Sequence, residues 1–146
     1  MRPIVVDTNV FISALLARKS EGASREVLRR CLKGHYLPLF GESLFNEYQA
    51  VLSREALFAG SPLSRVEREE MLAALTSVGQ WIKVYFLWRP NLRDEADNHL
   101  IELAVAGGAQ AIVTRNIRDL TRSELHFPDV RILTPKECLE VFPCPS

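Results

Sequence analysis

Pro3-Ile4-Val5-Val6-Asp7-Thr8-Asn9-Val10-Phe11-Ile12 is the stretch on which the fold turns. Its first residues are β-branched, continuous and short, which is how a strand buried on both faces reads. Asp7 ends the run abruptly, and Thr8-Asn9 supply helix-start chemistry before the next apolar residues. A strand that stops on a carboxylate and passes straight into a helix places that carboxylate at the strand's carboxyl end, outside which ligands bind in α/β proteins. The chain has five aspartates, and four of them, Asp7, Asp94, Asp97 and Asp119, stand where apolar segments begin or end. Solvated carboxylates would be scattered. These point to one pocket, where mutual repulsion calls for a cation, and hard oxygen ligands suit Mg²⁺ or Mn²⁺ better than zinc.

Outward from this stretch the pattern alternates. Glu26 to Lys33 reads as an amphipathic helix stopped by Gly34, and Tyr36 to Phe40 as a second strand ended by Gly41. Ser43 reads as the N-cap of a helix running to about Leu52, and Arg54 to Leu63 as a flexible, Pro-containing insertion. Glu67 to Val78 is helical, Trp81 to Phe86 a third strand, and Asp94 to Ala106 a helix stopped by Gly107-Gly108. Gln110 to Thr114 and Arg131 to Leu133 are the last strands, and Pro135 opens a final helix. Strands alternating with helices require crossover connections, hence an α/β fold with a parallel sheet covered on both faces. Asp7 and the segment from Thr114 to Asp119 then both lie just past strand ends.

At 146 residues the chain reads as one domain, 1–146, able to bury roughly 68–70% of its unfolded surface. Eighteen basic and eighteen acidic residues cancel, so no global field demands a polyanionic partner, although a local basic rim would serve. Fourteen of the basic residues are arginine, the type suited to bidentate phosphate contacts. Three cysteines without metal-ligand spacing fit a reducing cytoplasm. No apolar stretch approaches the ~20 residues that span a bilayer, so no membrane partner is expected.

Helical periodicity locates the remaining carboxylates. With Asp97 at the origin, Leu100, Ile101, Ala104 and Val105 fall within about 80° of it, so Asp97 sits amid the apolar stripe. Asp94 shares that face and reads equally as an N-cap or a ligand. Glu95, His99 and Glu102 fall on the opposite, polar face, and neither His99 nor His126 reads as a general base. Glu47 flanks the stripe of Leu44, Tyr48, Val51 and Leu52, where it could reach a pocket or turn out to water, while Asn46 and Ala50 take the solvent side.

Four segments in order carry a resemblance: Val5 to Val10, Ser43 to Tyr48, Asp94 to Asn98, and Val113 to Asp119. Together they resemble the PIN-domain ribonucleases, in particular toxin components of bacterial toxin–antitoxin pairs. Ile132 to Glu137 also looks like that group's last strand and helix, so the likeness runs from Ile4 to about Leu139. It implies a three-layer α/β/α sandwich and an acidic site that holds one or two Mg²⁺ or Mn²⁺ ions to hydrolyse RNA. The family's acidic positions match Asp7, Glu47 and Asp97, with the last at Asn116 or Asp119. Asn9 and Thr114 match the polar residues that orient the cluster. Asn116 stands where many relatives carry aspartate, and it can coordinate through its carbonyl oxygen without adding charge. Partners implied are an RNA substrate, a cognate antitoxin and a second copy of the chain, the last through amphipathic helices between Glu26 and Leu52 unless their apolar faces only pack the protomer's own core.

In that reading the carboxylates hold ions rather than attack. Asp7 and Asp97 are the principal ligands, and Glu47 orients the attacking water or binds metal. Arg115 and Arg118 either grip substrate phosphates or are simply solvated. Two rivals remain: a catalytically inactive PIN-fold RNA-binding or scaffold protein, and a haloacid-dehalogenase-like phosphatase. The phosphatase needs a second aspartate two residues after the first, and Asn9 occupies that position.

Overall fold

A computed structural model describes residues 1–17, 22–84, 95–117 and 129–143, with the backbone alone for 95–98. Arg2–Val6 forms β1, and its Ile4, Val5 and Val6 are buried, as an unbroken apolar run requires. Around it the strands β2 (Tyr36–Phe40), β3 (Gln80–Trp81), β4 (Ala111–Val113) and β5 (Arg131–Leu133) assemble in the order β3-β2-β1-β4-β5. Every pairing is parallel. Helices α1 (Thr8–Leu16), α2 (Ala23–Leu32), α3 (Glu42–Leu52), α4 (Arg65–Ser77), α5 (Glu95–Gly107) and α6 (Pro135–Val141) complete a three-layer α/β/α sandwich. No helix of the described residues is long and apolar enough to cross a membrane.

The chain steps outward from β1 through β2 to β3, then returns to lay β4 on the other side of β1. Strand order therefore reverses between β1 and β4, the crevice where open α/β sheets bind ligands. Val6 is opposite Val113 in this pair, so Asp7 and Thr114 leave the sheet side by side. The Asp7 N–H still donates to the Val113 carbonyl at 2.9 Å. Backbone pairing thus brings the buried Asp7 to the switch point.

The expected bounds of β2 and β5 hold to the residue, most other elements shift by one to three residues, and three expectations change in kind. The strand expected from Trp81 to Phe86 is two residues long, because its partner β2 ends at Phe40; the last bond between them is Ile82 N–H to the Phe40 carbonyl, 2.7 Å. Tyr85 and Phe86 lie outside the described residues. Helix α3 starts before Ser43, with Gly41 at the N-cap and no side-chain cap. The segment 54–63 is anchored rather than free. It forms a 3-10 turn, Glu55–Phe58, whose Phe58 is buried under the Arg68 guanidinium at 4.6 Å. Arg68 also bonds Glu55 at 2.8 Å and the Leu63 carbonyl at 2.9 Å, and Ser61 Oγ donates to the Leu15 carbonyl at 2.6 Å.

Two helices begin on capping boxes, Ser64 with Glu67 and Thr134 with Glu137, each satisfying two orphan donors. Gly79 sits where a Cβ would come within 2.6 Å of the Pro38 carbonyl, so the turn into β3 needs glycine for close approach. Gly108 ends α5 at φ +66°, the left-handed conformation favoured after a helix. Apolar residues of α2 (Val27, Leu28, Cys31) pack into this chain's own core, leaving Leu32 the exposed one.

Candidate metal centre

Asp7 is the N-cap residue of α1 and is 7% exposed. Its Oδ2 accepts from Thr114 Oγ1 at 2.7 Å and from Asn9 Nδ2 at 3.2 Å. Thr114 is fully buried, and its hydroxyl also accepts from the Asn116 N–H at 3.0 Å and from Asn9 Nδ2 at 3.3 Å. Asn9 Oδ1 in turn accepts the Arg115 N–H at 3.1 Å. One turn past β1 and one turn past β4 are therefore stitched together around a single carboxylate oxygen. The grouping of Asp7, Asn9 and Thr114 expected from the sequence is present.

Glu47 approaches from α3, whose stripe of Leu44, Tyr48, Val51 and Leu52 is buried as expected, with Asn46 and Ala50 exposed. Tyr48, wholly buried, fixes the helix against β1 by donating its hydroxyl to the Val6 carbonyl at 2.7 Å, one residue before Asp7. Of the two orientations open to Glu47, the side chain takes the inward one. Its Oε1 accepts from Thr8 Oγ1 at 2.7 Å, and its Oε2 lies 2.8 Å from His99 Nε2.

His99 and Glu102 overturn the polar face assigned to α5. The His99 side chain is only 17% exposed, and Glu102 is 4% exposed. Leu100, Ile101, Leu103 and Ala104 are buried as well, so this helix is enclosed on every side over these positions. The start of α3 and the 82–84 stretch stand beside this face: with α5 they line a partly open pocket of about 380 Å³, to which Gly41, Trp81, Ile82, His99, Glu102 and Leu103 contribute. One signal was available. Leu103, one turn after His99, marks that face as covered. Thr8 was the other omission, since a hydroxyl at a helix start has a capping reading that hides its bond to Glu47.

The two carboxylates are electrostatically unlike. Burial raises the Asp7 pKa; Thr114 and the Thr8 N–H pull it down, and the neighbouring Glu47 charge pushes it up again. At Glu47 the hydrogen bond from His99 comes first and outweighs burial, with Thr8 helping, so its pKa is lowered. Among the described residues no three His, Cys, Asp or Glu side chains form a complete ligand set. The donors present are nevertheless carboxylate oxygens that repel one another in a partly dry corner, and these fit a hard divalent cation. Asp97 lies in the first turn of α5, the helix that also delivers His99; its side chain is outside the described residues. Asp94, Arg118, Asp119 and His126 are outside them altogether. Arg115 is exposed and bonds Ser13 Oγ through Nη1 at 3.1 Å.

A family model described as "PIN domain" matches residues 3–118. Two solved structures share the fold. VapBC2 from Rickettsia felis, solved bound to a DNA fragment from their promoter, is 16% identical with a TM-score of 0.57, covering 90% of this chain and 98% of that one. PAE2754 from Pyrobaculum aerophilum is also 16% identical with a TM-score of 0.57, covering 96% of this chain and 88% of that one. No curated protein matches the chain.

Proposed function

The chain belongs to the PIN-domain family, and from that premise we propose that it is an endoribonuclease, dependent on Mg²⁺ or Mn²⁺, that hydrolyses RNA phosphodiester bonds. The observation that carries this reading is the buried Asp7 carboxylate at the sheet's switch point, within electrostatic reach of Glu47. Asp7, Glu47 and Asp97 would hold the ion, and the last acidic position falls to Asp119 or to the carbonyl of Asn116. When bound, the ion supplies a Lewis acid for the phosphate and a more acidic water. Thr114 and Asn9 restrict the Asp7 carboxylate to one orientation, which lowers the reorganisation needed as substrate enters. Glu47, its pKa lowered chiefly by His99, can keep a water oriented or bind the ion as a carboxylate. Arg115 at the rim, with Arg118, would meet substrate phosphates.

The partners in this reading are RNA, an antitoxin and a second copy of the chain. The antitoxin takes its support from the fold shared with VapBC2 of Rickettsia felis. A cytoplasmic location accords with such partners. Cleavage of RNA in Mn²⁺, abolished by chelator, tests the reading. Asp7→Asn and Asp97→Asn should each remove turnover. The exposed Glu70 on α4, as Glu70→Gln, should not. Buried Glu102 on α5 is unsuitable as that control. Full cleavage by Asp97→Asn would remove Asp97 from the site, and tight RNA binding without cleavage by the wild type would favour an inactive RNA-binding protein.

A further inference from the structure

Glu47 is half-buried, and a glutamate side chain there has three torsions to fix. It is held at both oxygens: Thr8 Oγ1 at 2.7 Å on Oε1, and His99 Nε2 at 2.8 Å on Oε2. An ionised carboxylate only accepts, so the His99 proton engaged here sits on Nε2. The ring's other nitrogen, Nδ1, is buried with no hydrogen-bond partner among the described residues. Among the described residues the ring's one side-chain bond therefore goes to Glu47. His99 also stands two residues after Asp97 on α5, and α3 and α5 are in contact.

We propose that His99 is a positioning residue that clamps Glu47 against α5, fixing the Glu47 carboxylate and the separation between α3 and the first turn of α5. The proposal rests on the nuclease reading for its purpose but not for its geometry. The clamp works through a hydrogen bond to an acidic residue, as partners of metal ligands do in general. His99→Ala leaves Glu47 with Thr8 alone and free to swing toward solvent. His99→Gln restores an amide N–H at about the reach of Nε2.

Full-length wild type and both variants would be compared by Mn²⁺ calorimetry, RNA-cleavage kinetics and thermal unfolding. His99→Ala should bind Mn²⁺ about 10- to 100-fold more weakly and lose kcat to a similar degree, with KM for RNA little changed. His99→Gln should recover most of both. Retention of Mn²⁺ affinity and kcat by His99→Ala would overturn the clamp. So would a His99→Gln protein with full metal affinity and no turnover, which would make the imidazole itself a proton carrier. A metal-free reading completes the test: the Nε2 nitrogen resonance of His99 should shift when Glu47→Gln is introduced, and no shift overturns the proposal. Should the wild type cleave no RNA, the nuclease reading fails, while calorimetry and the nitrogen resonance still decide the clamp.

Discussion

Asp7 and Glu47 act on each other electrostatically beyond the end of β1 and are held in opposite ways. Asp7 is almost dry, and its Oδ2 takes both side-chain donors. Glu47 is about a third exposed, and each oxygen has its own donor. Burial therefore dominates at Asp7 and raises its pKa, while hydrogen bonding dominates at Glu47 and lowers it. Such an acidic centre combines one carboxylate that the fold imprisons at some cost with one that the fold keeps charged. The first is set by backbone pairing between β1 and β4; the second depends on side chains from three helices.

The largest effect should come from removing one hydrogen-bond donor from each carboxylate. Thr114→Val deletes the hydroxyl beneath Asp7 at a fully buried position, and it also removes an acceptor of the Asn116 N–H. We expect about 1–3 kcal/mol of lost stability, the ordinary cost of a buried group left unsatisfied. For a chain of this size that is a fall of roughly 2–4 °C in Tm per kcal/mol. Thr8→Val removes the equivalent donor from Glu47, where water can replace it, and should cost less than about 1 kcal/mol. Thermal unfolding of the metal-free proteins reads both. Equal losses would mean that the two carboxylates do not differ in the way their burial implies.

Removing the charges themselves should give opposite signs. A folded-state pKa raised above the unfolded one means that the folded chain binds more protons in the window between them. Asp7 therefore destabilises the metal-free fold above that window and ceases to do so below it. Glu47, with its pKa lowered, stabilises the fold above the ordinary carboxylate range, and that contribution fades as pH falls through its folded value. At neutral pH, metal-free Asp7→Asn should melt at or above wild type, and Glu47→Gln below it. Solvent screening shrinks the Glu47 effect, since that side chain is partly exposed. Both differences should narrow in acid. Mn²⁺ should raise the wild-type Tm and move Asp7→Asn far less, through binding to the folded state. A marked apo loss in Asp7→Asn would show that its hydrogen bonds outweigh its burial.

How much of this was legible in the sequence follows the same division. What backbone pairing decides could be read: the strands around Asp7, the β2 and β5 boundaries, and Asp7 and Thr114 at adjacent strand ends, while Asn9 beside them came only from the family resemblance. What side-chain packing between distant segments decides could not. A helical wheel assigns His99 and Glu102 to solvent because it knows only residue type, yet the start of α3 and residues 82–84 stand beside that face. The 3-10 turn near Phe58 escapes for the same reason, its anchor being Arg68 on the following helix. The length of β3 is set by where β2 stops, which the apolar run from Trp81 to Phe86 does not reveal.

The smallest expected effect comes from a carboxylate that belongs to neither kind. Glu26, on α2, pairs with Arg29 one turn on and with Arg30 at 3.1 Å, away from the crevice. Slight burial raises its pKa, but the hydrogen bonds from Arg30 and Arg29 outweigh it and the net shift is downward, as at Glu47. The direction of a shift alone thus does not mark a site; the hydrogen-bond partners do, because two arginines bond Glu26 whereas a hydroxyl and an imidazole bond Glu47, with Arg54 acting there only through its charge. Glu26→Gln should cost only about 0.2–1 kcal/mol at neutral pH and low salt, as solvated ion pairs do. The loss should shrink in about 1 M salt, where the Debye length is near 3 Å. It should also shrink as pH falls through the folded Glu26 pKa, because the stabilisation is present only above it. Mn²⁺ should raise the Tm of Glu26→Gln by as much as that of wild type. A reduced metal response in Glu26→Gln would tie α2 to the acidic centre and remove the contrast between a surface carboxylate and the pair in the crevice.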